Sequence, residues 1–542
     1  MRTQVGAQTK TVDIPRASFD LSHGLKTTLN ASELVPILSL EILPGDTINL
    51  RAALFGRMAT PQKPLLENLF LETFFFFTPW RQVYPDFIKL MGEQEAPGDS
   101  IDFVIPNLSS ATPVAELSIG DYYGLPLGLV PDSVKVSSLP FRCYNKIFNF
   151  WFRDENLVDP VIENTGAGPD DIADYKILSR RKRRDYITSG LPFPQKGPDV
   201  TVNLGGLAPV QGIGILGNFA SSDNTLEYWQ TDNPEAPIKP GPSSMTPSGI
   251  VGTGVQAIGI ATQNSGTPNT DTGLPAIYAD LASASGISIN DLRESVQIQR
   301  LLERDARGGT RYPEILRSHF QVSDPGLLVH QRPLFLGGGS TQINVNPVAQ
   351  TNSSASDVQQ QETPQGNLAA YATVSANGHG FTSSFTEHGH ILGLVNVRAD
   401  LTYQQGLERY WSRQTRFDFY WPALSHLGEQ QVRNSEVFVS NDSAIDDDTF
   451  AYMPRYDEYR FKQSQITGLF RSTATASLDV WHLAQDFATL PALNAAFITD
   501  DVPMDRVLAV PSEPDFLLDV YFRIKAARPL PLYGTPGLMD HF

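Results

Sequence analysis

One cysteine, Cys143, stands among 542 residues. An intrachain disulfide and a cysteine-built metal site are thereby excluded. Such a chain suits folding in a reducing cytoplasm. Long apolar runs are also missing. The densest, Phe74–Phe77, falls far short of the ~18 residues of a membrane span, so no membrane insertion is expected. Residues 1–20 are polar and hold no apolar stretch of a secretory leader. The signatures GxSxG, HExxH and the P-loop do not occur. Gly337-Gly338-Gly339 is followed by no helix signal, so it is no phosphate cradle. Positive charge is in deficit as well. A net charge of −18 argues against a chain that coats nucleic acid with its whole surface, while leaving room for one basic face.

Proline, glycine and phenylalanine are plentiful, at 40, 42 and 30 residues. The first two break helices and punctuate short strands, and phenylalanine favours pleated surfaces. The composition leans to an all-β protein with long connections. Thr47–Arg51 alternates after the turn Pro44-Gly45-Asp46. Leu69–Phe77 is a second strand. Its four phenylalanines put two rings on each face, so both faces need cover. That cover is either two layers of one core or, in part, a neighbouring subunit. Later strands are expected at 391–398, 416–421, 465–471 and 516–528, with loops over 330–380. Gapped strands with long insertions suggest a jelly roll or related sandwich.

Two helices interrupt this pattern. Over 141–153 the residues Tyr144, Ile147, Phe148, Trp151 and Phe152 form a core-facing stripe. Over 289–307 Asn290 is the expected N-cap and Gly308-Gly309 the stop. Between them, residues 201–290 contain one basic residue, Lys239, and thirteen glycines, and read as a long insertion outside the main core.

Candidate chemistry is sparse. Arg180-Arg181-Lys182-Arg183-Arg184 reads as a solvated loop, a phosphate-binding patch or a nuclear signal. Arg300, Arg304, Arg307 and Arg311 recur around the end of the second helix. His388 and His390 share a strand face and could hold zinc, but spacing supplies no third ligand. Asp446-Asp447-Asp448 lacks the ligand spacing of a calcium loop. Trp481-His482 with Asp486 reads as a packed amphipathic turn.

Several stretches carry a family resemblance. They include Phe19-Asp20-Leu21-Ser22-His23-Gly24, Asn68 through Phe77 and Trp151-Phe152-Arg153-Asp154-Glu155-Asn156-Leu157. The most specific is Leu301-Leu302-Glu303-Arg304-Asp305-Ala306-Arg307-Gly308-Gly309-Thr310-Arg311-Tyr312. Arg398 through Leu407 and Pro536 through Phe542 extend it. The chain resembles the major capsid proteins of gokushovirus-type microviruses, except over 200–286.

The resemblance implies an eight-stranded viral jelly roll, a β-sandwich with long inserted loops and a few helices. It divides the chain into 1–199, a variable insertion at 200–286 and 287–542, with the insertion projecting at the three-fold axis. It implies a non-enzymatic coat protein, without cofactor or metal, in a T=1 icosahedral shell of sixty copies. The implied partners are further copies of the chain, a circular single-stranded DNA genome, other phage structural or scaffolding proteins and a bacterial surface receptor. The implied location is the virion, assembled in the host cytoplasm. Expected DNA contacts are Arg180, Arg181, Lys182, Arg183, Arg184, Arg304, Arg307 and Arg311. The last three are alternatively an inter-subunit ion-pair cluster with Glu303 and Asp305. Expected subunit contacts are Phe74, Phe75, Phe76, Phe77 and Trp151. A carbohydrate-binding β-sandwich or phage adhesin, and a two-carboxylate glycoside hydrolase, are the competing readings.

Overall fold

A computed structural model of the chain describes residues 16–94, 96, 98–100, 102–198, 200, five short strand segments between 210 and 279, 289–308, 312–321, 332–349 and 368–533. Contacts divide the chain into two units, Met1–Lys196 with Glu303–Phe542, and Gly197–Leu302. In the second unit Tyr228–Gln230 pairs with Asn233–Ile238 and with Ile258–Gly259, and Val210–Gln211 pairs with Tyr278–Ala279.

Among the described residues the main sheet of the first unit has nine strands: β1 (Ala17–Asp20), β2 (His23–Leu29), β3 (Val35–Ile42), β4 (Thr47–Met58), β5 (Leu69–Pro79), β6 (Leu334–Ala349), β7 (Leu368–Ser384), β8 (Gly389–Ala399) and β9 (Phe516–Arg528). All their pairings are antiparallel, in the order β1-β9-β4-β7-β6-β5-β8-β3, with β2 also on β9. β1 and β2 pair with successive parts of β9, so they act as one interrupted edge strand. That leaves eight strand positions. β6 joins two four-strand halves, because its first part pairs with β5 and its last part with β7. The sheet therefore curls into the expected jelly-roll sandwich.

Strand alternation explains the core. In β4 the residues Ile48, Leu50, Ala52, Leu54 and Met58 are buried, and the intervening Asn49, Arg51, Phe55 and Arg57 are exposed. β9 alternates in the same way from Phe516 to Ala526. β8 differs, being buried along its whole length, since both of its faces are covered. The cover is α1 (Leu139–Ile147), which starts with proline in its first turn and continues as a wider i→i+5 turn over Phe148–Phe152. The expected stripe packs there, with Tyr144, Ile147, Phe148 and Phe152 joining Phe76, Leu392 and Leu394.

α1 is anchored by a buried ion pair. Arg142 Nε and one terminal nitrogen donate to the two Asp170 oxygens at 2.6 and 2.7 Å. The guanidinium also donates to the carbonyls of Val83 and Gly166, and Tyr175 donates to Asp170 at 2.7 Å. Burial pushes the Asp170 carboxyl up, but the hydrogen bonds from Arg142, Tyr175 and Ser138 outweigh it and hold it below the usual range.

Four expectations need correction. The stretch 330–380, expected as loops, holds β6 and β7, the two longest strands of the sheet. Their glycines, alanines and serines carry little side-chain pattern, and close backbone packing takes its place. The stretch 416–421, expected as a strand, forms 3-10 turns at Arg416–Asp418 and Pro422–Leu424. Its aromatic alternation reflects exposure, and Asp418 ties the turn by accepting from Thr415 and Gln414 N–H. The stretch 465–471 is irregular around a 3-10 turn at Gly468–Phe470. The second helix, α2 (Ile289–Gly308), starts before Asn290, which therefore lies inside it. α3 (Tyr312–Phe320) follows.

Candidate functional site

β5 sorts its four phenylalanines by parity. Phe75 and Phe77 enter the sandwich core, while Phe74 and Phe76 point toward α1. The Phe76 ring lies 5.5 Å from Trp151 and 5.8 Å, edge-on, from Phe152, and Phe74 lies 5.2 Å from Phe152. Phe75, Phe76 and Phe77 are thus buried within one chain, whereas Phe74 and Trp151 stay partly exposed. Over these rings runs the loop 180–184. Rings and loop enclose a cleft of ≈ 450 Å³ that Phe335 completes. A second cleft of ≈ 480 Å³ shares Trp151, Arg181 and Arg184 with it and adds Arg307 and Arg317. Arg307 of the second arginine group therefore shares the Trp151 wall with Arg181 and Arg184 of the loop.

The loop is not a solvated one. Arg180 pairs with Glu72, which also accepts from Arg398 Nε at 2.8 Å, and its guanidinium lies 5.5 Å from the Phe74 centroid. Burial pushes the Glu72 carboxyl up, but its two arginines more than offset this. Arg181 pairs with Asp154 at 3.1 Å. Lys182 is buried, with its ammonium 4.6 Å from the Phe497 ring, and desolvation lowers its pKa. Arg183 and Arg184 face solvent, and Arg183 comes no nearer than 3.9 Å to Asp400. In the second group Arg304 is exposed, and Arg307 pairs with Glu429. Arg311 lies outside the described residues. Asp305, a proposed ionic partner of that group, is bonded to His319 at 2.7 Å.

Beneath the loop lies Asp500, a buried carboxyl near Arg180, Lys182 and Arg398 that burial pushes up to about 6. A folded-state pKa raised above the unfolded 3.8 means that the native state holds this proton more tightly. The associated stability is full below pH ~4 and is lost as pH rises through ~6, a change of about 3 kcal/mol. Asp500→Asn should therefore gain about 3 kcal/mol relative to the wild type between pH 4 and 7. Denaturant melts at several pH values check this, and a constant difference between the two proteins would refute it.

The other sequence candidates take structural places. His390 is buried against Ser39, and desolvation pushes its pKa down to about 3. Among the described residues no three His, Cys, Asp or Glu side chains are placed to hold a metal ion. Asp446 accepts from the N–H groups of Ser440 and Asn441, closing a turn. His482 is bonded to the Phe470 carbonyl at 2.6 Å. No described helix is long and apolar enough to cross a membrane.

One surface was missed in the sequence. Eight aromatic side chains between Tyr410 and Phe461 are exposed, among them Trp411 at 66% and Phe417 at 63%. They form a ledge, carried by the segment 410–421 and by Tyr459 and Phe461. Arg413 lies 4.4 Å from the Tyr459 centroid and 5.7 Å from Phe419, and Tyr420 meets Tyr459 edge-on. Arg416 stacks 4.7 Å over Trp421, whose indole donates to the Arg416 carbonyl. Glu436 and Glu458 support the ledge from below by pairing with Arg409 and Arg413. At about half exposure these rings present ~800 Å², which is one side of a standard protein–protein interface. The alternation of aromatic residues along 416–421 was its only trace in the sequence.

Comparison with known proteins gives a consistent result. Residues 7–538 match the phage family described as Capsid protein (F protein). Capsid protein VP1 of Bdellovibrio phage phiMH2K is 42% identical over 545 aligned residues, covering 99% of this chain and 98% of that protein. Capsid protein VP1 of Chlamydia phage 1 is 40% identical over 587 residues, with 98% and 97% covered. Capsid protein VP1 of Spiroplasma virus 4 is 35% identical over 554 residues, with 97% and 96% covered.

Proposed function

Because the chain belongs to the phage capsid protein (F protein) family, among the gokushovirus-type microviruses, we propose that it builds a T=1 shell of sixty copies around a circular single-stranded DNA genome. It is a structural coat protein of the virion and not an enzyme. Its assembly takes place in the host cytoplasm, together with other phage structural or scaffolding proteins.

The observation that carries the self-assembly reading is the aromatic ledge. Eight exposed rings in one patch are costly in water, and burial against another copy removes that cost. The rings are interleaved with arginine, and the segment 409–421 contains a single acid, Asp418, and no lysine. Interface cores are enriched in aromatics and arginine and depleted in lysine and carboxylates. Phe75, Phe76 and Phe77 are already covered within the chain, so the subunit contact passes to the ledge and to the rim formed by Phe74 and Trp151. Arg183 and Arg184 at the cleft mouth suit a single strand, whose phosphates need free cations. Residues 200–286 project outward and contribute to host attachment. The segment has no arginine and is a poor partner for DNA, while its loop-forming composition suits recognition.

The test is assembly. Expressed with its phage partners, the wild type should give uniform shells in negative stain, containing nuclease-protected single-stranded DNA. Trp411→Ser with Phe417→Ser should leave folded subunits and at least tenfold fewer shells. Arg183→Gln with Arg184→Gln should keep the shells and lower their DNA content. Wild-type protein that stays monomeric under these conditions would sink the reading.

A further inference from the structure

The two halves of the sandwich differ on their outer sides. The half containing β5 and β8 is covered by α1, with Phe76, Leu392 and Leu394 packed against Phe141, Tyr144 and Phe148. The half built from β2, β9, β4 and β7 has no such cover among the described residues. Along β4 and β9 every second side chain points away from the core into solvent or a partly exposed position.

That open face is basic in an acidic chain. It carries Lys26, Arg51, Arg57, Arg523 and Lys525, all exposed. Asp519 pairs with Lys26 at 3.1 Å and Asp20 with Lys525 at 2.6 Å. No carboxylate among the described residues pairs with Arg51, Arg57 or Arg523. The register sharpens this, because Arg51 sits directly opposite Arg523. Like charges opposed across a strand pair repel each other. Folding gains nothing from that pair, and a net charge of −18 shows that carboxylates are plentiful elsewhere.

Two rings lie among these arginines. Phe55 is 54% exposed and Tyr521 49%. Tyr521 faces Ala53 across the pair, so Arg51 and Phe55 are its diagonal neighbours, within reach of aromatic and long side chains. Beyond them β7 presents Thr373 opposite Arg57 and Ser375 opposite Phe55, small polar groups that leave the surface open.

We propose that this open sheet face binds a single-stranded polynucleotide, with Arg51, Arg57 and Arg523 on phosphates and Phe55 and Tyr521 under unstacked bases. The proposal rests on the genome-enclosing reading above and gives it a wall that neither sequence motifs nor the 180–184 loop supply. A polyanion relieves the Arg51–Arg523 repulsion directly. Exposed rings on a sheet serve unpaired bases, since a duplex keeps its bases stacked internally. A second copy of this acidic chain would instead have to desolvate three unpaired guanidinium groups.

The test uses the full-length chain and a fluorescent oligothymidylate of about sixteen nucleotides, the upper end of the site sizes such surfaces cover. Arg51→Gln, Arg57→Gln and Arg523→Gln together should weaken binding at least ~10-fold at ~0.1 M salt, and flatten the slope of log K against log salt by about 2. The melting temperature should hold or rise, because the opposed pair is gone. Phe55→Ser with Tyr521→Ser should weaken binding roughly tenfold with an unchanged salt slope. Wild-type affinity and slope in the triple variant would overturn the proposal. So would loss of shells with oligonucleotide binding intact, which would make the face a contact between copies. Wild-type shells devoid of protected DNA would instead overturn the genome-enclosing reading, and the titration would still decide the face by itself.

Discussion

Arg142→Met should cost about 3–5 kcal/mol of subunit stability, the range for breaking a buried ion pair by removing one partner. The pair is closed to water, with side-chain exposures of 1% for Arg142 and 3% for Asp170. Methionine roughly fills the volume but leaves the Asp170 carboxylate without its two charged donors. It also strips the carbonyls of Val83 and Gly166 of their hydrogen bonds. The damage reaches the cleft, because α1 leads into the turn that positions Trp151 and Phe152. Adding Asp170→Asn should recover part of the loss, since no buried charge then remains. Recovery should be incomplete, because the two carbonyls stay unpaired. Denaturant unfolding of unassembled subunits measures all three variants. A single variant within ~1 kcal/mol of the wild type would show that the pair contributes little beyond what packing supplies.

Gly338→Ala should be as severe. A Cβ at Gly338 would lie 2.0 Å from the Thr73 carbonyl oxygen and 3.3 Å from the Phe74 Cα. Both are backbone atoms of β5, so no side chain can swing aside. β6 would have to pull away from β5 where their register already shifts, between Phe335 and Gly337. Overpacking of this kind should cost at least about 3 kcal/mol. Gly98→Ala is the control, since nothing lies within 4 Å of its Cβ position. That variant should stay within ~0.5 kcal/mol of the wild type. Equal melting points for the two variants would show that the strands can separate without penalty.

The triple glycine also shows where a sequence stops being readable. Gly337-Gly338-Gly339 suggests a loop, because glycine weakens a strand and carries no pattern. The chain uses it as strand because its neighbours pass too close for a side chain, the Thr73 carbonyl of β5 at Gly338 and Gly380 and His379 of β7 at Gly337 and Gly339. β7, with its run of alanine, serine and glycine, was obscured for the same reason. The loop 180–184 behaved in a parallel way. Five like charges read as solvated, yet Glu72, Asp154 and the Phe497 ring come from distant segments to hold three of them. Arg183 and Arg184 alone kept the exposure that the sequence suggested.

What the sequence determined by itself is whatever depends on local period. The parity of Phe74–Phe77 dictated two covered faces, and the i, i+3, i+4 stripe dictated a core-facing helix over 141–153. The alternation in 516–528 dictated a half-buried strand, and the presence of a single cysteine ruled out an intrachain disulfide. The ordered family motifs identified the coat protein. Only the tertiary structure decided which charges are free and which faces are bare. Whether an arginine meets a carboxylate, as Arg180 does, or another arginine, as Arg51 does across from Arg523, depends on strand register. Register is settled between segments hundreds of residues apart; local periodicity says which face of each strand is buried, but not which residue of one strand meets which residue of the other.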